Sequence, residues 1–162
     1  MNDLLLKMPL TYEPKKKNRF LLRFPADLGI QEWWCGTASR PQIQIEETEI
    51  PFLGTSTYVA GRYKWDTIQV TLRDAIGPST AQAVMEWIRL HAESTTGRQG
   101  YAAGYKRDVE LDMLDPTGVC VEKWILKNTM CTTANFGDVD MSSNDIATVQ
   151  LTLRFDYAIL CF

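Results

Sequence analysis

The chain has 162 residues, of which 45% are hydrophobic and 23% charged, and its formal net charge is −3. These values are typical of one globular domain that builds its own core, and the negative charge argues against a protein that grips nucleic acid with basic side chains. No run approaches the roughly 20 apolar residues of a membrane helix, so we expect no membrane partner. The start of the chain also lacks the pattern of a signal peptide.

The N-terminal segment, residues 1–17, is a predicted arm that combines apolar side chains with the basic run Lys15–Lys17. Apolar residues in a terminal arm commonly dock on their own domain or on a neighbouring molecule. The candidates for such contacts are Leu4, Leu5 and Leu6. A short run of lysines is more often a solvated hinge than a binding site.

Four stretches in the first half of the chain carry strand signals. Alternation of apolar and polar residues predicts strands at Asn18–Phe24, Gln42–Glu46 and Trp65–Arg73, and Trp33–Cys35 predicts a further short strand. The pattern within Trp65–Arg73 is the clearest, because every second residue from Ile68 to Leu72 is apolar.

A long apolar loop is predicted at residues 47–63, since Pro51 and Gly54 interrupt the strand pattern. Loops normally face water. The apolar residues of this segment are Ile50, Phe52, Leu53, Tyr58 and Val59. So many apolar side chains in one loop indicate that it needs a partner surface.

Residues 79–92 form the one predicted helix. Ser79 and Gln82 have the spacing of a capping box, which satisfies amide groups at the start of a helix. An apolar stripe on one side of the helix would face the core. The opposite, exposed side would carry Gln82, Glu86 and Arg89.

The second half of the chain alternates again and predicts strands at Tyr105–Leu114, Val119–Thr129 and Ile146–Tyr157. Asp115–Gly118 joins the first two as a turn, with proline second and glycine fourth. Strands that follow one another through turns, with a single helix, predict a mainly β fold: a small antiparallel β-barrel or sandwich. This domain would span residues 18–162.

The sequence predicts no enzyme, cofactor or metal site. The single histidine, His91, ends the predicted helix without a nucleophile or carboxylate near it in sequence. Asp108, Glu110 and Asp112 share one strand face, which is more typical of a solvated or charge-paired sheet than of a cation site. The four cysteines have no metal or redox spacing, so we expect free thiols.

The C-terminal stretch Ser142–Tyr157 resembles the strand that closes the domain in tail tube proteins of contractile-tail phages. Three further features agree in order with that family, which belongs to the Hcp-like tail tube superfamily. They are the Asn18–Phe24 strand after a short arm, the segment Glu46–Trp65 with its Ala-Gly exit into the next strand, and the helix that carries Trp87. The resemblance covers most of the chain after the arm.

This resemblance implies a structural protein that forms hexameric rings, in which each subunit gives four strands to a continuous inner β-barrel. It implies that the rings stack into a conduit for DNA ejection. The implied partners are other copies of the chain, the tail sheath protein, and baseplate and tail terminator proteins. The tape-measure protein and genomic DNA would pass through the lumen without specific binding. The implied location is the virion, after assembly in the bacterial host cytoplasm.

The resemblance also implies roles for the exposed residues. Expected inter-ring and inter-subunit contacts are Leu4, Leu5, Leu6, Ile50, Phe52, Leu53, Tyr58 and Val59. Expected lumen-facing residues are Gln42, Gln44, Glu46 and Thr48, because a bore that releases DNA should be polar and neutral to acidic. Residues 122–133 are a second candidate for the lining. Expected sheath-facing residues are Gln82, Glu86 and Arg89.

Three other interpretations stay open on the sequence. A type VI secretion tube protein would share the fold and the mechanism. A monomeric β-barrel would bind a ligand or an oligonucleotide. An oligonucleotide binder should expose aromatic residues interleaved with lysine or arginine, whereas the aromatic residues here mostly alternate into the predicted core. An uncharacterised enzyme would need a catalytic constellation that the sequence does not suggest.

Overall fold

The structure is a computed structural model that describes Pro9 and residues 11–162. Most of its regular structure is β-strand. The strands are β1 Phe20–Arg23, β2 Cys35–Ala38, β3 Ile43–Phe52, β4 Thr55–Trp65, β5 Ile68–Arg73, β6 Arg107–Leu114, β7 Cys120–Asn135, β8 Thr148–Arg154 and β9 Tyr157–Leu160. The helices are α1 Thr80–His91 and the four-residue α2 Ala102–Tyr105, with 3-10 turns at Ala26–Leu28 and Glu32–Trp34.

Strand β7 belongs to two antiparallel sheets. Its residues 120–129 pair with β6 and β9, and its residues 130–135 pair with β8. The strand bends at Asn128, whose left-handed φ of 54° accompanies an irregular register. Sheet I therefore contains β1, β6, the first part of β7 and β9. Sheet II contains the last part of β7, then β8, β5 and β2. The mainly β, antiparallel prediction is confirmed.

The core joins both sheets and α1 in one cluster. Sheet I contributes Leu22, Val109, Leu111 and Leu126. Sheet II contributes Ile68, Val70, Leu72, Val149, Leu151 and Leu153. Helix α1 contributes Val84 and Trp87. Burial of each large apolar side chain stabilises the fold by about 1.5–3 kcal/mol, so this cluster is the main driving force.

Helix α1 begins where the sequence predicts, because the side chain of Ser79 accepts a hydrogen bond from the amide of Gln82 at 3.4 Å. The buried Thr80 hydroxyl donates to the carbonyl of Arg73 at 2.9 Å and ties the helix to the end of β5. The indole of Trp87 donates to the carbonyl of Tyr105 at 2.8 Å. No helix in the described part of the chain is long and apolar enough to cross a membrane.

Two strand predictions are wrong in detail. Glu32–Trp34 forms a 3-10 turn, and β2 starts only at Cys35. Trp34 is fully buried there, so its apolar signal reflects the core and not a strand. The predicted final strand is divided into β8 and β9, because the amide of Asp156 bonds to the carbonyl of Lys127 at 3.0 Å and redirects the chain onto β7.

The segment predicted as a loop at residues 47–63 is a β-hairpin instead. Strands β3 and β4 pair antiparallel along their lengths, and Leu53–Gly54 forms the turn. Pro51 does not break the strand, because it lies near the tip of an edge strand, where its missing N–H costs little. Residues such as Thr57 and Val59 are β-branched and favour an extended chain.

Candidate assembly surface

The β3–β4 hairpin projects from the body of the domain. It continues the ladder between β2 and β5, and the amide of Asp66 donates to the carbonyl of Gln42 at 3.0 Å at its base. Ten residues of strand span about 33 Å. The two strands form a sheet of their own, and every residue from 43 to 64 is exposed. A lone two-stranded hairpin is marginally stable in water, so a further surface that covered this one would stabilise it.

The hairpin exposes large apolar side chains along its whole length. They are Ile43, Ile45, Ile50, Phe52, Leu53, Tyr58, Val59 and Tyr63. All five contact residues predicted in this segment are among them, and Leu53 at the tip is 92% exposed. The predicted contacts Leu4, Leu5 and Leu6 lie outside the described residues.

The apolar side of the hairpin changes face halfway along. In β3, Ile43 and Ile45 share one face, whereas Ile50 and Phe52 lie on the other. The register shifts between Ile45 and Glu47, where two residues of β4 oppose one of β3. A Cβ on Gly61 at this bulge would lie 3.3 Å from the carbonyl oxygen of Glu46, so glycine fits best. The hairpin can therefore bury apolar side chains on both faces.

Sheet II has two free edges. Strand β2 pairs with β5 alone, and residues 131–135 of β7 pair with β8 alone. Free edges expose unpaired backbone N–H and C=O groups, which invite pairing with another chain. No described strand pairs with either edge, so a second copy could extend the sheet on both sides.

One face of sheet II is polar. Its core face carries Ile68, Val70, Leu72 and their partners, and the register places alternating polar residues on the opposite face. The polar residues of this face are Thr37, Gln69, Thr71, Arg73, Thr133, Asn135, Thr148, Gln150, Thr152 and Arg154, and Met130 lies opposite Arg154 at its end. It carries no carboxylate. Sequence reasoning missed this face as a unit, although the alternating threonines were its signal.

The predicted lumen residues extend this polar face. Gln44, Glu46 and Thr48 are exposed on one face of β3, and Gln42 directly precedes the strand. Ile43 pairs with Trp65, which packs against the core. The face with Gln44 and Glu46 is therefore on the same side as the polar face of sheet II.

The other predicted lining, residues 122–133, lies mainly in sheet I. Its lysines bind the row of carboxylates on β6: Lys127 binds Asp108 at 3.0 Å and Lys123 binds Glu110 at 3.3 Å. A hydrogen bond from the amide of Asn128, with help from Lys127, lowers the pKa of Asp108. The row is thus charge-paired, and no group of metal-ligating residues occurs among the residues described.

A buried carboxylate that the sequence did not reveal joins the arm to the domain. Glu122 has a side chain that is 7% exposed, and it accepts hydrogen bonds from Lys15 at 2.6 Å and from the indole of Trp124 at 2.6 Å. Arg40, which lies between β2 and the hairpin, is 3.4 Å away. One carboxylate therefore connects the arm, sheet I and the base of the hairpin.

The predicted sheath-facing residues and His91 lie at the surface. Gln82, Glu86 and Arg89 are exposed on α1, and the last two form an ion pair. The ring of His91 packs edge-on against Tyr105. All four cysteines are free, as predicted. Burial raises the pKa of Cys35 and of Cys131 to about 11, which keeps both thiols protonated.

Neither a family model nor a curated protein matches this chain, but solved structures do. The cap that terminates the tube of the anti-feeding prophage superposes with a TM-score of 0.74 at 19% identity, over 97% of this chain and 97% of that chain. A chain of the sheath–tube complex of the extracellular contractile injection system PVC gives 0.72 at 19% identity, over 93% of each chain. A chain of the anti-feeding prophage baseplate, solved with 6-fold symmetry, gives 0.68 at 15%, over 93% of this chain and 97% of that chain.

These superpositions cover at least 93% of this chain, and so include both sheets, helix α1 and the hairpin. The chain therefore shares the fold of these chains from contractile injection systems, the tube-terminating cap among them.

Proposed function

We propose that the chain is the structural, non-enzymatic subunit of a contractile tail tube, and that its copies form stacked hexameric rings. The observation that carries this proposal is sheet II, which combines four strands, two free edges and one polar face without a carboxylate. Six such sheets side by side would close into one barrel with no free edge. Residues 1–17 act in it as an arm and residues 18–162 as the tube domain.

Pairing of β2 in one copy with residues 131–135 of the next is a head-to-tail contact, which produces a closed ring when the rotation between copies is right. Six-fold closure is supported by the symmetry of the baseplate whose subunit shares this fold. The polar face would then line the bore, together with Gln42, Gln44, Glu46 and Thr48. Threonine and glutamine side chains hydrate easily and offer few strong contacts to a moving cargo.

The hairpin would hold successive rings together. Its apolar residues Ile50, Phe52, Leu53, Tyr58 and Val59 stand in water in one copy, and a neighbouring ring would bury them. A gain of about 1.5–3 kcal/mol for each large side chain is enough to set the stacking register. Leu4, Leu5 and Leu6 would add contacts from the arm.

A tube subunit fits the chain better than a terminating cap. Val139, Met141 and Ile146 are strongly exposed in the connection between β7 and β8, and the hairpin tip is exposed as well. A subunit within a tube contacts neighbours on both sides, whereas a cap needs only one such surface. The tube would bind a sheath protein through Gln82, Glu86 and Arg89 on α1, and baseplate and terminator proteins at its ends.

The finer form of the proposal is a phage tail tube, assembled in the host cytoplasm, through which the tape-measure protein and genomic DNA pass in the virion. A second candidate, a type VI secretion tube, is favoured by Arg73 and Arg154. They make the polar face of sheet II neutral to basic, whereas a bore that releases DNA was expected to be neutral to acidic, because arginines retain phosphates. Nuclease-protected DNA in purified particles would support the phage tube, and its absence from all particles would favour the secretion tube.

Photo-crosslinking tests the ring. A small diazirine side chain in place of Thr37, on the free edge of β2, should crosslink to residues 131–135 of another copy and give bands up to a hexamer on a denaturing gel. The same group in place of Gln82 on α1 should give no such ladder. Crosslinks from position 37 that stay within one chain would overturn the proposal.

A further inference from the structure

The two ends of sheet II carry different extensions. The hairpin leaves the end at which Ile68 pairs with Leu153. Residues 136–147, which we name the distal loop, leave the opposite end, at which Arg73 pairs with Thr148. The hairpin extends the strand positions of β2 and β5, whereas the distal loop extends those of β7 and β8.

The distal loop is apolar and acidic. Val139 and Met141 are almost fully exposed, and the loop contains three aspartates and no basic residue. Asp140 serves the loop itself, because it accepts hydrogen bonds from the amide and the hydroxyl of Ser142 at 2.9 and 2.8 Å. Within the described residues, the carboxylates of Asp138 and Asp145 bind no side chain or amide.

The base of the hairpin carries two exposed cations on β4. Arg62 and Lys64 are exposed on β4, a strand without acidic residues, and they lie on the same face as Glu46. Neither cation has a carboxylate within 4 Å in the part of the chain that the structure describes, although ten ion pairs occur elsewhere on the domain. Free cations at one end and free carboxylates at the other suit a head-to-tail contact between copies.

The positions of the strands in a ring also bring the distal loop of one copy to the hairpin base of another. In a ring of four-stranded sheets, each hairpin covers two of the four positions, so a gap of about 10 Å separates neighbouring hairpins. The distal loop extends the other two positions from the opposite end. When rings stack in one direction, the distal loops of one ring reach the plane at which the hairpins of the next ring begin, where Arg62 and Lys64 lie.

We propose that the distal loop of one copy docks beside the hairpin base of a second copy in the adjacent ring, with Asp138 and Asp145 facing Arg62 and Lys64. Val139 and Met141 would be buried in the gap between hairpins. This inference rests on the proposed tube and names the surface that receives the next ring.

Charge reversal tests the contact on the full chain. R62E/K64E and D138K/D145K should each leave single rings intact but reduce pelletable filaments at least tenfold. A chain that combines all four substitutions should recover filaments of near wild-type length. K16E/R98E makes the same charge change as R62E/K64E at exposed sites elsewhere. It should form filaments as the wild type does. Electron microscopy counts rings and filaments, and the rings report correct folding.

Two results would overturn the contact. Wild-type filament length in either reversed variant would show that these charges do not meet. Failure of the fourfold variant to recover would show that they do not pair with each other. If D138K/D145K does not form rings, the isosteric D138N/D145N replaces it in the test and should shorten the filaments. A wild-type chain without rings would refute the proposed function itself, which separates the two failures.

Discussion

Lys15 and Glu122 lie 107 positions apart, yet the ammonium of Lys15 donates to the carboxylate of Glu122 at 2.6 Å. Arg40 reaches the same carboxylate from the base of the hairpin. Because Glu122 is nearly buried, it needs partners in place of water, and among the described residues Lys15, Arg40 and Trp124 serve in this way. The position of the arm is therefore linked to that of the hairpin.

Loss of this charge should release the arm. We expect E122Q to lower the free energy of unfolding by about 1–2 kcal/mol, since a hydrogen bond to a charged group is lost while half-exposed Lys15 rehydrates. Urea denaturation measures the loss, and limited trypsin digestion should cleave faster at Lys15–Lys17. E13Q, which removes an exposed partner of Arg19, serves as the control. Equal cleavage rates in the two variants would contradict the link.

The ionisation of Glu122 should make the stability of the fold depend on pH. Burial raises the pKa of Glu122, but hydrogen bonds from Lys15 and Trp124 and the charge of Arg40 outweigh it and hold the pKa below its ordinary value of 4.5. A depressed pKa stabilises the folded state above the unfolded-state value, and this stability is lost as the pH falls through the folded-state pKa. The stability difference between wild type and E122Q should be constant near neutral pH and shrink below about pH 4.5. A difference that grows in acid would refute the assignment.

A substitution at the hairpin tip should change local stability and filament assembly in opposite directions. Leu53 has a φ of 51°, a left-handed conformation that leucine rarely adopts and asparagine tolerates. L53N should slow amide hydrogen exchange in the hairpin of the unassembled chain, because it relieves about 1 kcal/mol of backbone strain. It should also raise the protein concentration needed for filaments, because an apolar contact is lost. Better assembly by L53N would exclude Leu53 from the contact between rings.

Truncation of a core residue should lower the stability of the monomer, whereas truncation of a hairpin residue should prevent assembly. L151A removes a fully buried side chain of sheet II and should cost about 2–5 kcal/mol in thermal or urea unfolding. F52A removes a side chain that is 72% exposed and should change the stability of the monomer by less than about 0.5 kcal/mol. F52A should nevertheless prevent filament formation at concentrations where the wild type assembles. A large loss of monomer stability in F52A would mean that Phe52 packs on its own domain.

Much of the fold follows from local patterns. The Ile68–Leu72 alternation, the Ser79 cap and the Asp115–Gly118 turn each occur as predicted, because short-range sterics and hydrogen bonds determine them. The hairpin was missed because the bulge at Gly61 and the change of apolar face at Glu46 disrupt a strict two-residue period. The apolar excess of this segment, from which a contact surface is predicted, is nevertheless visible in the sequence.

Long-range features of the site could not be predicted. The bend of β7 at Asn128 depends on contacts with Asp108 and Asp156, which lie 20 and 28 positions away. The free edges of sheet II and the burial of Glu122 likewise depend on strand order, which local patterns do not encode. The polar face of sheet II became recognisable only when its strands were placed side by side.

Cryo-electron microscopy of the purified full-length protein over a range of concentrations tests the central claim most directly. We predict hollow six-fold rings and short tubes, in which β2 of each subunit pairs with residues 131–135 of its neighbour and the threonine-rich face of sheet II lines the bore. A particle that stays a single copy at every concentration, with Phe52 and Leu53 folded onto its own domain, would contradict the account.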